Sequence, residues 1–287
     1  MLLSINLFGA LLALASAGLW GGGDFSGGFA ARRLNPLQVL ALASFSGCVV
    51  MLGCLAVARE SFMSLPGTLW AMGAGASGAV GSTALYRALV VGRAASVAPT
   101  AAVIGAALPV GFGMATQGLP GLAQLAGFGV ALAGIWLVSQ SEAPGEALAT
   151  RGLGLACLAG VGFGGFFILL SLADQGAVYM PVLIVRSTAL AVSLVLLSVL
   201  QPASAQALHF NPRSLLVGLL AGVADAFGNI AYVLARQATR LDVATVLGSL
   251  YPAVTVLLAC VVLKECVTRR QWLGVTLCLA AIVLITI

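Results

Sequence analysis

Residues 214–238 read SLLVGLLAGVADAFGNIAYVLARQA. The run is apolar and small-residue throughout, interrupted by one acid, Asp225, near its centre and one base, Arg236, near its end. About 20 such residues cross the hydrocarbon core of a bilayer as a helix. Its polar side chains are not scattered. Asp225, Asn229, Tyr232 and Arg236 recur at i, i+4, i+7 and i+11, which puts them on one helical stripe. An ionisable group is costly at membrane depth and is kept where it faces a bundle interior or a water-filled cavity. The stretch therefore predicts a membrane helix that turns a polar stripe inward.

The rest of the chain has the same character. Of 287 residues, 61% are hydrophobic and 7% charged, against about 25% charged in a soluble domain. Thirteen basic and eight acidic residues, a net charge of +5, cannot solvate a folded surface of this size. A soluble globule, a disordered tail and a coiled coil are excluded together, and the lipid bilayer becomes the first partner. Thirty-six glycines fit close helix packing in lipid. The basic residues are too sparse and dispersed for a nucleic-acid footprint. Six cysteines (Cys48, Cys54, Cys157, Cys260, Cys266 and Cys278) form no C-x-x-C pair and mostly sit in apolar runs, so they read as small buried hydrophobes. Ala13-Leu14-Ala15 and Ala15-Ser16-Ala17 resemble signal cleavage sites. However, Met1 to Gly23 carries no Lys or Arg and apolar sequence continues beyond it, which predicts a first membrane helix instead.

Charge-free intervals count the spans. Residues 1–23, 34–58, 61–86, 152–173, 243–263 and 271–287 each supply one, and 178–200 and 214–238 supply two more. The long interval 94–141 breaks into two at Gln117-Gly118-Leu119-Pro120-Gly121. Ten helices result. An internal repeat then divides them. An offset of 146 maps Tyr86 onto Tyr232 and Ser96-Val97-Ala98 onto Asp242-Val243-Ala244, and an offset of 147 maps Gln124-x-x-Gly127 onto Gln271-x-x-Gly274. Matches in constant order over so long a stretch predict two units, 1–141 and 151–287. Five is odd, so consecutive copies cross the membrane in opposite senses. The expected fold is all-α and polytopic, with ten transmembrane helices as two inverted five-helix repeats. This is an architecture of secondary transporters, with the site near midplane between the copies.

Several motifs then carry a resemblance. Leu19-Trp20-Gly21 in the first helix, Pro181-x-x-x-x-Arg186 in the seventh, Ser249-Leu250-Tyr251-Pro252 in the ninth, and Leu263-Lys264-Glu265 followed by Gln271-x-x-Gly274 resemble the EamA-type drug/metabolite transporters. The likeness runs over the whole length and is strongest in 243–287. It implies a ten-helix bacterial inner-membrane exporter of amino acids and other small metabolites, with helices 1, 3, 4, 6, 8 and 9 around a central cavity. Two features are single-copy: the first half has no Glu matching Glu265, and Ala41 stands where the seventh helix has Arg186.

Two motifs suggest chemistry of other kinds. Gly73–Gly78 and Gly160–Gly165 both spell G-x-G-x-x-G, but a dinucleotide site needs a preceding strand and a βαβ unit. Within apolar helices the same glycines serve close packing. Gly75-Ala76-Ser77-Gly78 spells G-x-S-G, yet a serine nucleophile needs a base, and the one histidine, His209, falls in a polar loop. No His, Cys or carboxylate cluster has ligand spacing, so no metal or organic cofactor is implied.

The candidate substrate-binding residues are Trp20, Asp24, Ser82, Thr83, Tyr86, Asp225, Asn229, Tyr232 and Ser249. Asp225 lies at midplane depth, where it either lines the cavity or forms a structural ion pair with Arg87 or Arg186. Asp24 follows Gly21-Gly22-Gly23, a run at which the first helix can kink around a ligand or simply end in water. A zwitterionic solute needs Asp225 or Asp24 for its ammonium, and Asn229, Thr83, Ser82 or the hydroxyls of Tyr86 and Tyr232 for its carboxylate. The expected function is export of small amphipathic metabolites, amino acids first, by alternating access, in a monomer or homodimer and with no enzymatic step. The rival readings are an intramembrane enzyme acting on a lipid-linked substrate, with Asp24 and Asp225 as its paired acids, and an exporter of nucleosides or cationic drugs. For orientation, loops after odd-numbered helices hold eight basic residues and those after even-numbered helices three. The positive-inside rule then puts both termini outside, whereas the family resemblance implies both inside.

Overall fold

The computed structural model describes residues 2–31, 33–91, 94–139, 152–173, 176–200, 212–264 and 267–286. Among them every regular element is helical. In order these are α1 (Leu2–Ala31), α2 (Pro36–Ala58), α3 (Leu65–Val91), α4 (Ala94–Gln117), α5 (Leu122–Val138) and α6 (Leu153–Leu172). They continue with α7 (Tyr179–Leu200), α8 (Pro212–Ala238), α9 (Leu241–Gly248), α10 (Tyr251–Leu263) and α11 (Arg269–Thr286). Eight stretches are long and apolar enough to cross a membrane: Leu7–Ala31, Pro36–Ala58, Thr100–Gln117, Leu153–Leu172, Tyr179–Val199, Pro212–Ala238, Leu241–Val262 and Arg269–Thr286. The helix Leu122–Val138 is apolar but shorter. The chain is thus a multi-pass membrane protein. Large side chains such as Phe45, Val57, Leu122 and Val261 point outward, while the interior is filled largely by alanine, among them Ala13, Ala71, Ala106 and Ala244. Small residues let helix backbones approach where lipid supplies no hydrophobic drive between them.

Local sequence explains where helices stop. Asn35 caps α2 through a reciprocal pair of bonds: Leu37 N–H donates to its side chain at 2.9 Å, and Asn35 N–H donates to Gln38 Oε1 at 3.2 Å. Pro36 occupies the first turn, where its missing N–H costs nothing. The break at Gly118–Gly121 between α4 and α5 falls where the sequence predicts. At Gly21–Gly23, where the sequence allows a kink or a helix end, α1 continues as one helix. Two of those glycines are contact points instead. A Cβ on Gly21 would lie 2.6 Å from Val254 Cβ, and one on Gly23 3.2 Å from Ala221 O. The discontinuity is in the ninth span, between Gly248 and Tyr251, where Pro252 can neither donate to the Gly248 carbonyl nor fit its ring against it.

The helices pack in a pattern that survives exchange of α1–α5 for α6–α11. α1 packs on α8 and α3 on α6; α2 packs on α8 and α3 on α7; α4 packs on α6, as α1 does on α9 and α10. α2 with α7, and α5 with α11, are their own counterparts. The last pair repeats bond for bond. Gln124 Oε1 accepts from Gly121 N–H while its Nε2 donates to Ile285 O at 3.5 Å. Gln271 Oε1 accepts from Thr268 N–H while its Nε2 donates to Val138 O at 3.4 Å. Gln271 and Thr268 lie 147 beyond Gln124 and Gly121, and Val138 lies 147 before Ile285. Gly127 near the start of α5 meets Ile285 near the end of α11, and Gly274 meets Val138 in the same manner. The two helices are therefore antiparallel and related by a local two-fold axis perpendicular to them.

The same offset holds for α3 and α8, and it corrects the register read from the tyrosines. Gly75 closes on the Val185 carbonyl of α7 as Gly222 closes on the Ala43 carbonyl of α2. Buried Ala74, Ala79, Ala84 and Ala88 recur as buried Ala221, Ala226, Ala231 and Ala235. At 147, Asp225 corresponds to Gly78, Asn229 to Ser82, and Tyr232 to Leu85. Tyr86 and Tyr232 are not counterparts, because an offset of 146 turns α8 by one residue, about 100°. Both G-x-G-x-x-G stretches serve helix contacts: Gly75 against α7, Gly160 against Ile104 of α4, and Gly162 against Gly81 of α3.

Candidate functional site

A cavity of about 350 Å³ lies at the centre of the bundle. Its wall comes from α1, α2, α3, α6, α7, α8 and Tyr251 at the start of α10. This differs from the set of helices the family resemblance implies: α2 and α7 take part, and α4 contributes no described residue. α4 packs against α6, with Gly160 closing on Ile104 and Gly164 on Leu108, whereas Val39, Leu40 and Ala43 of α2 and Val185, Arg186 and Ala189 of α7 reach the wall. One side of the cavity is aromatic, with Trp20, Phe163, Phe166, Phe167 and Tyr251. The charged residues of its wall are Asp24, Arg186 and Asp225.

α8 presents Asp225 and, one turn on, Asn229. Asp225 forms an ion pair with Arg186 Nη1 of α7, one of the two pairings the sequence offers as a structural role. The pair is not sealed off, because the Asp225 side chain keeps 30% of its surface accessible while Arg186 keeps 9%. Pro181-x-x-x-x-Arg186 therefore brings a cation to mid-helix rather than to an interface. Glycine makes the room: a Cβ on Gly47 of α2 would lie 2.9 Å from Arg186 Cδ. Asn229 is 1% exposed, and neither its amide nitrogen nor its oxygen has a hydrogen-bond partner among the described residues. Buried polar atoms are nearly always partnered, so this amide is one that a bound solute or water would satisfy.

Of the nine candidate residues, Trp20, Asp24, Ser82, Asp225 and Asn229 line the cavity. Asp24 sits seven residues before the end of α1, inside the wall. Thr83 is buried behind it, with Oγ1 donating to Ala79 O at 2.8 Å. Tyr232 lies deeper, fully buried, with ring centroids 5.5 Å from Trp20 and 5.0 Å from Phe167. Its hydroxyl lies 3.0 Å from Thr245 Oγ1, so its polar partner comes from α9. Ser249 is buried at the α9–α10 break. Tyr86 belongs to α3, but its side chain lies outside the described residues, as do His209 and Glu265. Among the described residues no three of His, Cys, Asp and Glu come together as a metal site requires.

Sequence reasoning passed over the residues that close one end of the bundle. Glu60, just after α2, accepts backbone N–H bonds from Val178, Tyr179 and Met180 at 2.6, 2.9 and 2.6 Å, capping α7 with a carboxylate. Arg236 donates to Ser171 O, and Gln237 to Ala177 O. Arg240 bridges Gln117 O and Gly118 O to the buried Asp242 carboxylate. All these links gather at the C-terminal ends of α2 and α8, whereas the cavity residues sit near the N-terminal end of α2 and around the middle of α8. Of these only Arg236 left a signal, as the last member of the polar stripe on α8.

The comparisons with known proteins agree with this geometry. One solved structure, described only as a crystal structure of a protein, superposes with a TM-score of 0.79 at 18% identity, covering 96% of this chain and 95% of its own. That likeness establishes a shared fold over nearly the full length. No curated protein matches the sequence. Residues 150–287 match the model of the EamA-like transporter family, so the second half of the chain is similar to these membrane transporters.

Proposed function

We propose that the protein is a secondary transporter that moves small amphipathic metabolites, amino acids first among them, across a bacterial inner membrane by alternating access. On this reading the chain crosses the bilayer ten times as two inverted five-helix repeats, 1–141 and 151–287. The antiparallel two-fold contact of α5 with α11 supports the inversion. If both helices cross the membrane, the axis relating them lies in its plane.

The observation that carries the functional reading is the central cavity itself. Its wall combines aromatic and charged side chains, and its volume suits a small organic molecule. It is offset from one end of the bundle, which polar links hold shut. The Glu60 cap, the Arg236 bond and the Arg240–Asp242 bridge are the contacts that an opening at that end would have to release. The other proposed roles follow from placement. Trp20 forms a wall for an apolar side chain, Asp24 and Asp225 face an ammonium, and Asn229 and Ser82 face a carboxylate or hydroxyl.

The test is a counterflow screen in proteoliposomes with labelled amino acids, nucleosides and organic cations. The reading expects saturable exchange with at least one amphipathic solute. Absence of exchange for all three classes, in protein shown to be folded, would overturn it. Hydrolysis of a lipid-linked substrate by the same preparation would replace it with the intramembrane enzyme.

A further inference from the structure

We infer that Asp24 is the anchor for a cationic amine, and that the cavity selects amphipathic amines over the zwitterionic amino acids of the same body. The inference rests on the transport reading but replaces its first substrate class: among small amphipathic solutes it puts amines, not amino acids, first.

It starts from a count of charge. Among the described residues the cavity wall holds two carboxylates, Asp24 and Asp225, and one guanidinium, Arg186. Arg186 is already engaged by Asp225. Asp24 has no salt-bridge or hydrogen-bond partner among the described residues, so the wall holds one carboxyl group without a counter-charge. A carboxylate entering this space would meet Asp24 and Asp225. It could reach the one cation only by displacing Asp225 from a largely buried pair, which leaves that carboxylate without its counter-ion. An ammonium meets no such conflict, since it completes the charge at Asp24. The aromatic side adds to the same preference, because ring faces attract cations and accept apolar bodies together.

A second observation marks this as a binding site and not merely a pair of acids. Asn229 is 1% exposed, lies in the same wall, and has both side-chain polar atoms unpartnered among the described residues. An amide offers one donor group and one acceptor, which suits a neutral polar function beside the ammonium: an ester, an amide, a hydroxyl or bridging water. It supplies no charge for a carboxylate. The ligand the wall describes is thus a monocation with an apolar or aromatic body and at most a neutral polar group.

Calorimetric titration of the purified full chain in nanodiscs, with two ligand series, tests this. The first is tryptamine, tryptophan methyl ester, tryptophan and indole-3-propionate; the second is isoamylamine, leucine methyl ester, leucine and 4-methylpentanoate. In each, the body is fixed and the charge runs from cation through zwitterion to anion. Within at least one series, the cations should bind at least tenfold more tightly than the zwitterion, with the anion weakest. Asp24→Asn should weaken the cations at least tenfold and change the zwitterion less than threefold. Asp24→Glu should keep the preference, which separates lost charge from lost folding. Asp225→Asn should act in the opposite sense, releasing Arg186 and raising the affinity of the zwitterion and anion relative to the cation. A zwitterion that binds as tightly as its ester, cation affinity that survives Asp24→Asn in folded protein, or failure of every member of both series to bind would each overturn the assignment. Counterflow separates this from the broader reading. Flux of some other solute leaves transport standing while the charge assignment falls, and cation binding without flux of any solute does the reverse.

Discussion

The α5–α11 contact and the central cavity treat the repeat in opposite ways. At α5–α11 each half makes the same bonds to the other, with Gln124 and Gln271 in matched roles and Gly127 and Gly274 at matched approaches. In the cavity the match stops. Asp225 stands opposite Gly78, Asn229 opposite Ser82, and Arg186 has no cationic counterpart on α2. Geometry is shared where helices merely pack, and charge is single-copy where a solute would bind. A symmetric scaffold can reverse its accessibility with little change in packing, whereas two buried charge clusters would double the desolvation cost and leave one unpaired in each state. The asymmetry therefore points to the place where selection acts on chemistry.

The largest effect should come from breaking the single-copy pair. Asp225→Ala leaves Arg186 buried without its partner, at a cost of about 3–5 kcal/mol, read as a fall in unfolding temperature in detergent or nanodiscs. Replacing both residues with leucine should recover most of that stability. If Asp225→Ala is as stable as the parent, the pair is not a structural element.

Glycine contacts come next. Gly222→Ala brings a Cβ into the Ala43 carbonyl and the Ser46 hydroxyl, both too close to yield cheaply. Overpacking of this kind costs about 1–3 kcal/mol. Gly28→Ala, where a Cβ meets nothing within 4 Å, should be neutral or slightly stabilising. Equal stabilities for the two variants would show that the α2–α8 approach is looser than described.

The smallest effect tests the symmetry itself. Gln124→Ala and Gln271→Ala each remove a cap on a helix N-terminus and a bond to the facing helix, worth about 1 kcal/mol in either case. The two losses should agree within about 0.5 kcal/mol and add in the double variant. A marked difference would mean that the two-fold contact is geometric but not energetic.

The scaffold was legible in the sequence because lipid imposes long apolar runs and because Gln-x-x-Gly recurs at an offset of 147. The stripe on α8 was legible to one turn: Asp225 and Asn229 reach the cavity, while Tyr232 turns into the core. Other features were not, for physical reasons. The register of α3 on α8 rests on a series of small alanines and glycines that look like background in so apolar a chain, and two conspicuous tyrosines outweighed them. The partner of Asp225 is distant in sequence, and Arg186 alone reads equally well as a snorkelling side chain. The break in the ninth span follows from Pro252, yet Pro109 lies within unbroken α4, so proline alone does not mark a discontinuity. Glu60 caps a helix more than a hundred residues away, and no local pattern announces such a contact.

The central claim is that solute passes through the cavity between the two halves. Ser82 lines it and holds no charge, so Ser82→Trp should fill the space without disturbing the Asp225–Arg186 pair. Initial counterflow rates in proteoliposomes, compared between this variant and the parent at equal folded protein, test the claim directly. The account predicts loss of at least nine-tenths of the saturable flux with the unfolding temperature little changed. Flux through folded Ser82→Trp equal to that of the parent would place the transport route elsewhere and contradict it.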